Sequence, residues 1–226
     1  MPGRRRSRRI ALLPAGLLMC ASLVVTPGAA AGAAPEVVPP RALTEGLTYG
    51  EWSALWWQQV AAIPQAANPL GQKGRVTCRL GRGKVRFLVG TLGGNASRSC
   101  RVPAGTRLLV PLVNGECSSA EGNGTTAAAL LACARGQTDA VSSLNASVDG
   151  QRIRGLRAFR FASPLFAIDL PAGDVFGKGP VATPSVADGF WLILEPLPAG
   201  RHVVRFGGAV AAANFSVQTT YRLQVR

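Results

Sequence analysis

The chain has 226 residues, 47% of them apolar, with 25 Lys and Arg against 11 Asp and Glu, one His, five Cys, 27 Gly and 16 Pro. That much apolar surface offsets the entropy of ordering a chain, so a folded domain is expected and a disordered polyelectrolyte is excluded. One histidine rules out two-histidine zinc and iron sites. No phosphate-binding loop, GxGxxG turn or GxSxG elbow occurs, and no motif asks for a cofactor or a metal.

Residues 1–33 read as an export signal: a basic run from Arg4 to Arg9, an apolar stretch from Ile10 to Val25, then small residues ending at Ala33. Pro14 and Gly16 interrupt the stretch, and it is shorter than the roughly 20 residues a membrane-spanning helix needs. The mature protein is therefore expected to be secreted, without a transmembrane segment. Arg8-Arg9 suits a twin-arginine route, while Ala11 departs from that pattern and suits the Sec route equally well. After cleavage four cysteines remain, Cys78, Cys100, Cys117 and Cys133. In an oxidising compartment they should pair, and nearest neighbours (Cys78 with Cys100, Cys117 with Cys133) give the simplest of three connectivities. A metal held by all four thiolates is the rival, but no CxxC spacing supports it.

Residues 34–47, carrying Pro35, Pro39 and Pro40, form an extended leader into a single domain over 48–226. Thr48-Tyr49-Gly50-Glu51 is a capping box, opening a helix that should run to about Ile63 and stop at Pro64. Trp52, Leu55, Trp56, Gln59, Val60 and Ile63 share one helical stripe and point to a core. Trp57 lies off it and is the candidate exposed ring for stacking on a sugar. Short runs rich in Val, Leu, Ile, Phe and Thr then predict strands at 85–92, 99–102, 106–113, 144–148, 152–161, 165–170, 190–194, 201–206 and 215–225. Asp149-Gly150 is a hairpin turn signal, and a second helix is expected over 125–144. The pattern predicts a mainly β fold: an antiparallel β-sandwich or jelly-roll-like barrel with one N-terminal covering helix and one short internal helix.

Five stretches carry a resemblance. They are Gly50-Glu51-Trp52-Ser53 through Trp56-Trp57-Gln58; Pro111 through Asn114 with Glu116-Cys117; Glu121-Gly122-Asn123-Gly124; Asp188-Gly189-Phe190-Trp191; and Leu197 to His202. Together they resemble an uncharacterised family of secreted bacterial proteins. The likeness spans nearly all of the mature chain and implies export from a bacterium. It implies no activity, substrate or catalytic residue.

Charge is uneven. Between Trp52 and Gly115 there is no Asp or Glu but nine Lys and Arg. Arg82, Lys84 and Arg86 alternate with Gly83, Val85 and Phe87, so on a strand they would form a basic face for an anionic cell-wall polymer or polysaccharide. The bland reading is a solvated sheet face, and no motif for specific nucleic-acid recognition occurs. Asn114, Glu116, Glu121 and Asn123 put hard oxygens in one loop beside Cys117. They suit a structural loop, a ligand site, a Ca²⁺ site or a pair of catalytic carboxylates, and Glu121 could simply cap the helix that follows. His202 alternates with Val204 and Phe206 on the inward face, where a hydrogen-bonded core or rim histidine is expected rather than a general base. Asp188-Gly189 reads as a turn that can also line a cleft. These residues favour a non-catalytic extracellular or cell-envelope binding module for an anionic polymer or glycan. The alternatives are a hydrolase using Glu116, Glu121 or Asp188, and a purely structural surface protein.

Overall fold

The computed structural model describes residues 35–226, with Met1 and Gly3. The expected export signal otherwise lies outside the described residues. The Thr48 hydroxyl accepts from the Glu51 N–H while Glu51 Oε2 accepts from the Thr48 N–H at 2.8 Å, so the capping box opens helix α1 (Tyr49–Ala61) as its sequence predicts. Hydrogen bonding to Thr48 also holds the Glu51 carboxyl below the usual range. Helix α2 (Ala127–Thr138) is capped by Thr126 and is shorter at both ends than the predicted 125–144.

The strands are β1 (Gly74–Arg75), β2 (Gly81–Arg82), β3 (Val85–Phe87), β4 (Gly94–Val102), β5 (Arg107–Ser118) and β6 (Ser143–Val148), then β7 (Gln151–Arg152), β8 (Arg160–Ala162), β9 (Phe166–Leu170), β10 (Val181–Leu194), β11 (Gly200–Val210) and β12 (Phe215–Val225). One sheet has the order β1-β4-β12-β11-β6-β7, the other β2-β3-β5-β10-β8 with β9 also on β10. Inward side chains of both sheets, among them Leu109 and Trp191 from one and Phe206, Tyr221 and Leu223 from the other, join a common core. The mainly β, two-helix composition is as the sequence predicts. The sheets are mixed, however, not purely antiparallel, and do not close into a barrel: β12 runs parallel to β4, and β3 to β5. Alternation of apolar and polar residues reports which face is buried and says nothing of the direction of the neighbouring strand.

The predicted strand 85–92 ends at Phe87, because the carbonyls beyond it are claimed by side chains. Trp56 Nε1 donates to Leu88 O at 2.8 Å, and Val89 O accepts from Arg98 and Tyr221. The leader is docked rather than free: Val38 N–H donates to Ile193 O at 2.9 Å, Glu195 N–H to Glu36 O at 3.0 Å, and the Tyr49 hydroxyl to Val38 O at 2.8 Å. Asp149 and Gly150 take φ of 50° and 84° and make the expected β6–β7 hairpin turn. Among the described residues no helix is long and apolar enough to cross a membrane.

Both disulfides form as the nearest-neighbour pairing predicts, Cys78–Cys100 and Cys117–Cys133. The second ties α2 to β5. Replacing Cys117 and Cys133 together by Ser should lower unfolding stability by about 3 kcal/mol, the loop-closure value for a span of this length. A urea titration measures it, and a loss near zero would mean that packing alone holds α2.

Candidate functional site

Alternation along β5 assigns two jobs to adjacent residues. Gly115 and Cys117 face α2, where Cys117 meets Cys133, while Glu116 and Ser118 face the other way. On that side β5, the α1 residues Trp56 and Trp57, β11 and β12 enclose a cleft of about 250 Å³. Its walls are apolar and aromatic, including Trp57, Phe176, Phe206 and Phe215, and its polar lining includes Asn114, Glu116, Glu121, Gln137 and Thr219. Among the described residues no Lys or Arg lines it.

Glu116 is 4% exposed. Its Oε1 accepts from the Ser185 hydroxyl. Among the described residues its buried Oε2 has no hydrogen-bond partner, and Glu121 lines the same cleft. Two carboxyls side by side hold together only when one carries a proton. Burial away from water is the main force pushing the Glu116 carboxyl up to about 8, the Ser185 hydroxyl opposes it, and the charge and hydrogen bond of Glu121 add to the rise. Glu116 is thus a neutral carboxylic acid between pH 4.5 and about 8, where an exposed glutamate is already ionised. Glu121 is fixed from behind: its Oε2 accepts from Ser118 N–H at 2.9 Å and Ser118 Oγ at 2.7 Å.

Of the residues nominated by sequence, Trp57, Asn114, Glu116 and Glu121 come together here. Trp57 is a correction: it is 5% exposed, not an open stacking platform, because its ring is packed against Trp56 of the same helix and against Phe176. Asn114 to Ser118 lie in strand β5 rather than in a loop. Glu121 caps not α2 but its own short turn, Ser119–Glu121, by reaching back to Ser118. Asn123 lies just beyond this turn and is not among the lining residues.

Asp188 is no turn residue. It sits within β10 opposite Gly115 and so faces α2, away from Glu116. There, 2% exposed, it accepts from Arg160 Nε at 2.8 Å and from the Thr138 hydroxyl. His202 is likewise committed, with Nε2 2.8 Å from Pro198 O and Nδ1 2.7 Å from Asp149 Oδ2. A carbonyl can only accept, so Nε2 carries its proton and has no lone pair for a substrate. His202 therefore locks the β6–β7 turn to β11. Arg82, Lys84 and Arg86 do not share a strand: β2 and β3 form a hairpin turning at Gly83 and Lys84, with Glu45 Oε1 accepting from the Lys84 N–H at 2.7 Å. The basic stripe expected there is absent because Gly83, at φ 53°, breaks it.

No family model, curated protein or solved structure matches the chain. The site therefore stands on its own geometry. Sequence reading misses Gln137, whose Nε2 donates to Glu116 O at 3.2 Å. A signal for it exists: Gln137 lies four residues after Cys133, on the same face of α2, so the Cys117–Cys133 bridge carries it to β5. Among the described residues no group of three or more His, Cys, Asp and Glu gathers as a metal site.

Proposed function

We propose that this is a secreted, disulfide-stapled bacterial binding protein whose cleft takes a neutral, hydroxyl-rich ligand about the size of one sugar ring. The observation that carries this reading is the lining: aromatic walls with two carboxyls and two amides, and no cation. Aromatic rings pack on the C–H face of a sugar while carboxyl and amide groups hydrogen-bond its hydroxyls. An anionic ligand would meet Glu116 and Glu121 with nothing to offset its charge. The volume, below the ~300–1,000 Å³ of typical small-molecule sites, favours a single ring over an oligosaccharide. Two disulfides support an oxidising destination, and the sequence resemblance supports a bacterial one.

Trp56 and Trp57 line the cleft, so tryptophan fluorescence reports on occupancy. Titration with neutral monosaccharides should give saturable binding with one site, weakened at least about tenfold by Asn114→Ala, the loss of one or two buried hydrogen bonds. No saturable response to any neutral sugar would overturn the assignment.

The buried Glu116 carboxyl, pushed up to about 8, with Glu121 lining the same cleft, favours one second reading, an acid hydrolase in which the pair activates water. Asp188, on the far face of the sheet, drops out of that reading. Turnover abolished by Glu116→Gln would support hydrolysis, and recovery of the bound sugar unchanged would end it.

A further inference from the structure

The six strands of the β1-β4-β12-β11-β6-β7 sheet contain seven arginines and no Asp, Glu or Lys. Alternation turns Arg98 inward. The other six, Arg75, Arg101, Arg152, Arg201, Arg205 and Arg222, point outward and are exposed. None of the six has an ion-pair partner among the described residues.

Strand register brings them together from segments far apart in the chain. Arg75 and Arg222 both lie opposite Ser99, from β1 and β12 on either side of β4. Arg101 and Arg201 flank Gln224 in the same way, and Arg152 and Arg205 flank Ser147. Each pair is two strands apart, about 10 Å from backbone to backbone, so three rows of paired guanidinium groups cross the sheet. Arg222 Nη1 donates to Ser97 Oγ at 2.6 Å, laying the side chain along the face. Asp149, in the β6–β7 turn at the rim, is taken by Val203 N–H and His202.

We infer that this outer sheet face docks an acidic polysaccharide, whose carboxylates the arginines grip in bidentate pairs. Three features select that occupant. A flat field of six unpaired arginines attracts a polyanion over a Debye length. The guanidinium fork matches a carboxylate. Between the arginines stand side chains such as Ser97, Thr220, Gln218 and Asn145, which hydrogen-bond sugar hydroxyls. No aromatic ring occupies an outward position on these strands, so the stacking platform of a single-strand nucleic-acid binder is absent. This surface is separate from the cleft, and either can exist without the other.

The test uses the whole protein and polygalacturonate at low salt, with neutral dextran as control. Binding should be saturable, should weaken as salt rises, and should fall at least about tenfold in an Arg201→Gln/Arg205→Gln/Arg222→Gln variant that melts like the parent, because three charges leave the contact. An Arg82→Gln/Lys84→Gln/Arg86→Gln variant removes the same charge elsewhere and should bind as the parent does. Asn114→Ala should also leave polygalacturonate binding unchanged, which separates this surface from the cleft. Equal weakening by both triple variants would reduce the effect to net charge and overturn the proposal. Tighter binding of polyphosphate or duplex DNA than of polygalacturonate, or no binding at low salt, would overturn it as well.

Discussion

At pH 8 the Glu116→Gln variant should be more stable than the parent, by on the order of 4 kcal/mol, whereas at pH 4 the two should be equal. The sign follows from the direction of the shift. Glu116 titrates near 4.5 when exposed and is pushed up to about 8 in the fold. Below pH 4.5 both folded and unfolded chains hold the proton, and ionisation costs the fold nothing. Between 4.5 and 8 the unfolded chain releases it while the fold does not, so stability falls as pH rises, and above 8 the loss is complete. Glutamine keeps the shape and the acceptor for Ser185 and never ionises. Urea titrations at the two pH values measure the difference. Equal pH slopes for parent and variant would show that burial and Glu121 do not hold the proton on Glu116. A gain of stability on removing an ionisable group is the mark of a site kept for something other than folding.

Arg98→Met should be the most damaging change on the sheet, costing about 3–5 kcal/mol, the range for stripping one partner from a buried charged network. Arg98 is 1% exposed and, among the described residues, has no carboxylate partner. Its guanidinium is instead ringed by backbone carbonyls: Nε donates to Gln72 O at 2.8 Å, Nη2 to Pro69 O at 2.7 Å, and Nη1 to Val89 O and, at 3.2 Å, to Tyr221 Oη. It also lies 5.7 Å from the centre of the Tyr221 ring. Methionine fills the volume but leaves those carbonyls buried and unbonded, each costing about 1–3 kcal/mol. Lysine would restore the charge without the fork that reaches three chain segments at once. Because Leu70 and Gly90 line the cleft, the same variant should weaken ligand binding. Chemical denaturation checks the stability, and a loss below about 1 kcal/mol would mean that water replaces the guanidinium.

What the sequence makes legible is what local rules govern. The capping box, both disulfides, the Asp149-Gly150 turn and the alternation of β12 depend on neighbours within a few residues or on compartment chemistry, and all of these features form. Trp57 and Asp188 defeat such reading because their surroundings are set by distant segments. A tryptophan off the stripe is exposed only if nothing covers that flank of α1, and Phe176 covers it. Asp188 before Gly189 looks like a turn until Arg160 and Thr138 are brought to it. Arg98 was within reach: Ala96, Cys100 and Val102 share its face of β4, so alternation turns it inward. The outward arginine field is invisible in one dimension, since its members span residues 75 to 222 and only register places them side by side.

The docking of residues 36–38 on β10 bears on how this protein keeps to itself. Val37 bridges Leu194, and the bonds through Glu36 and Val38 occupy backbone groups of Ile193 and Glu195 that would otherwise lie open at the margin of the sheet. An unpaired strand margin recruits strands from other molecules. Proteolytic trimming past Val38 would thus bare that margin as a template for aggregation, and the few residues ahead of the first helix act as a guard against intermolecular strand exchange.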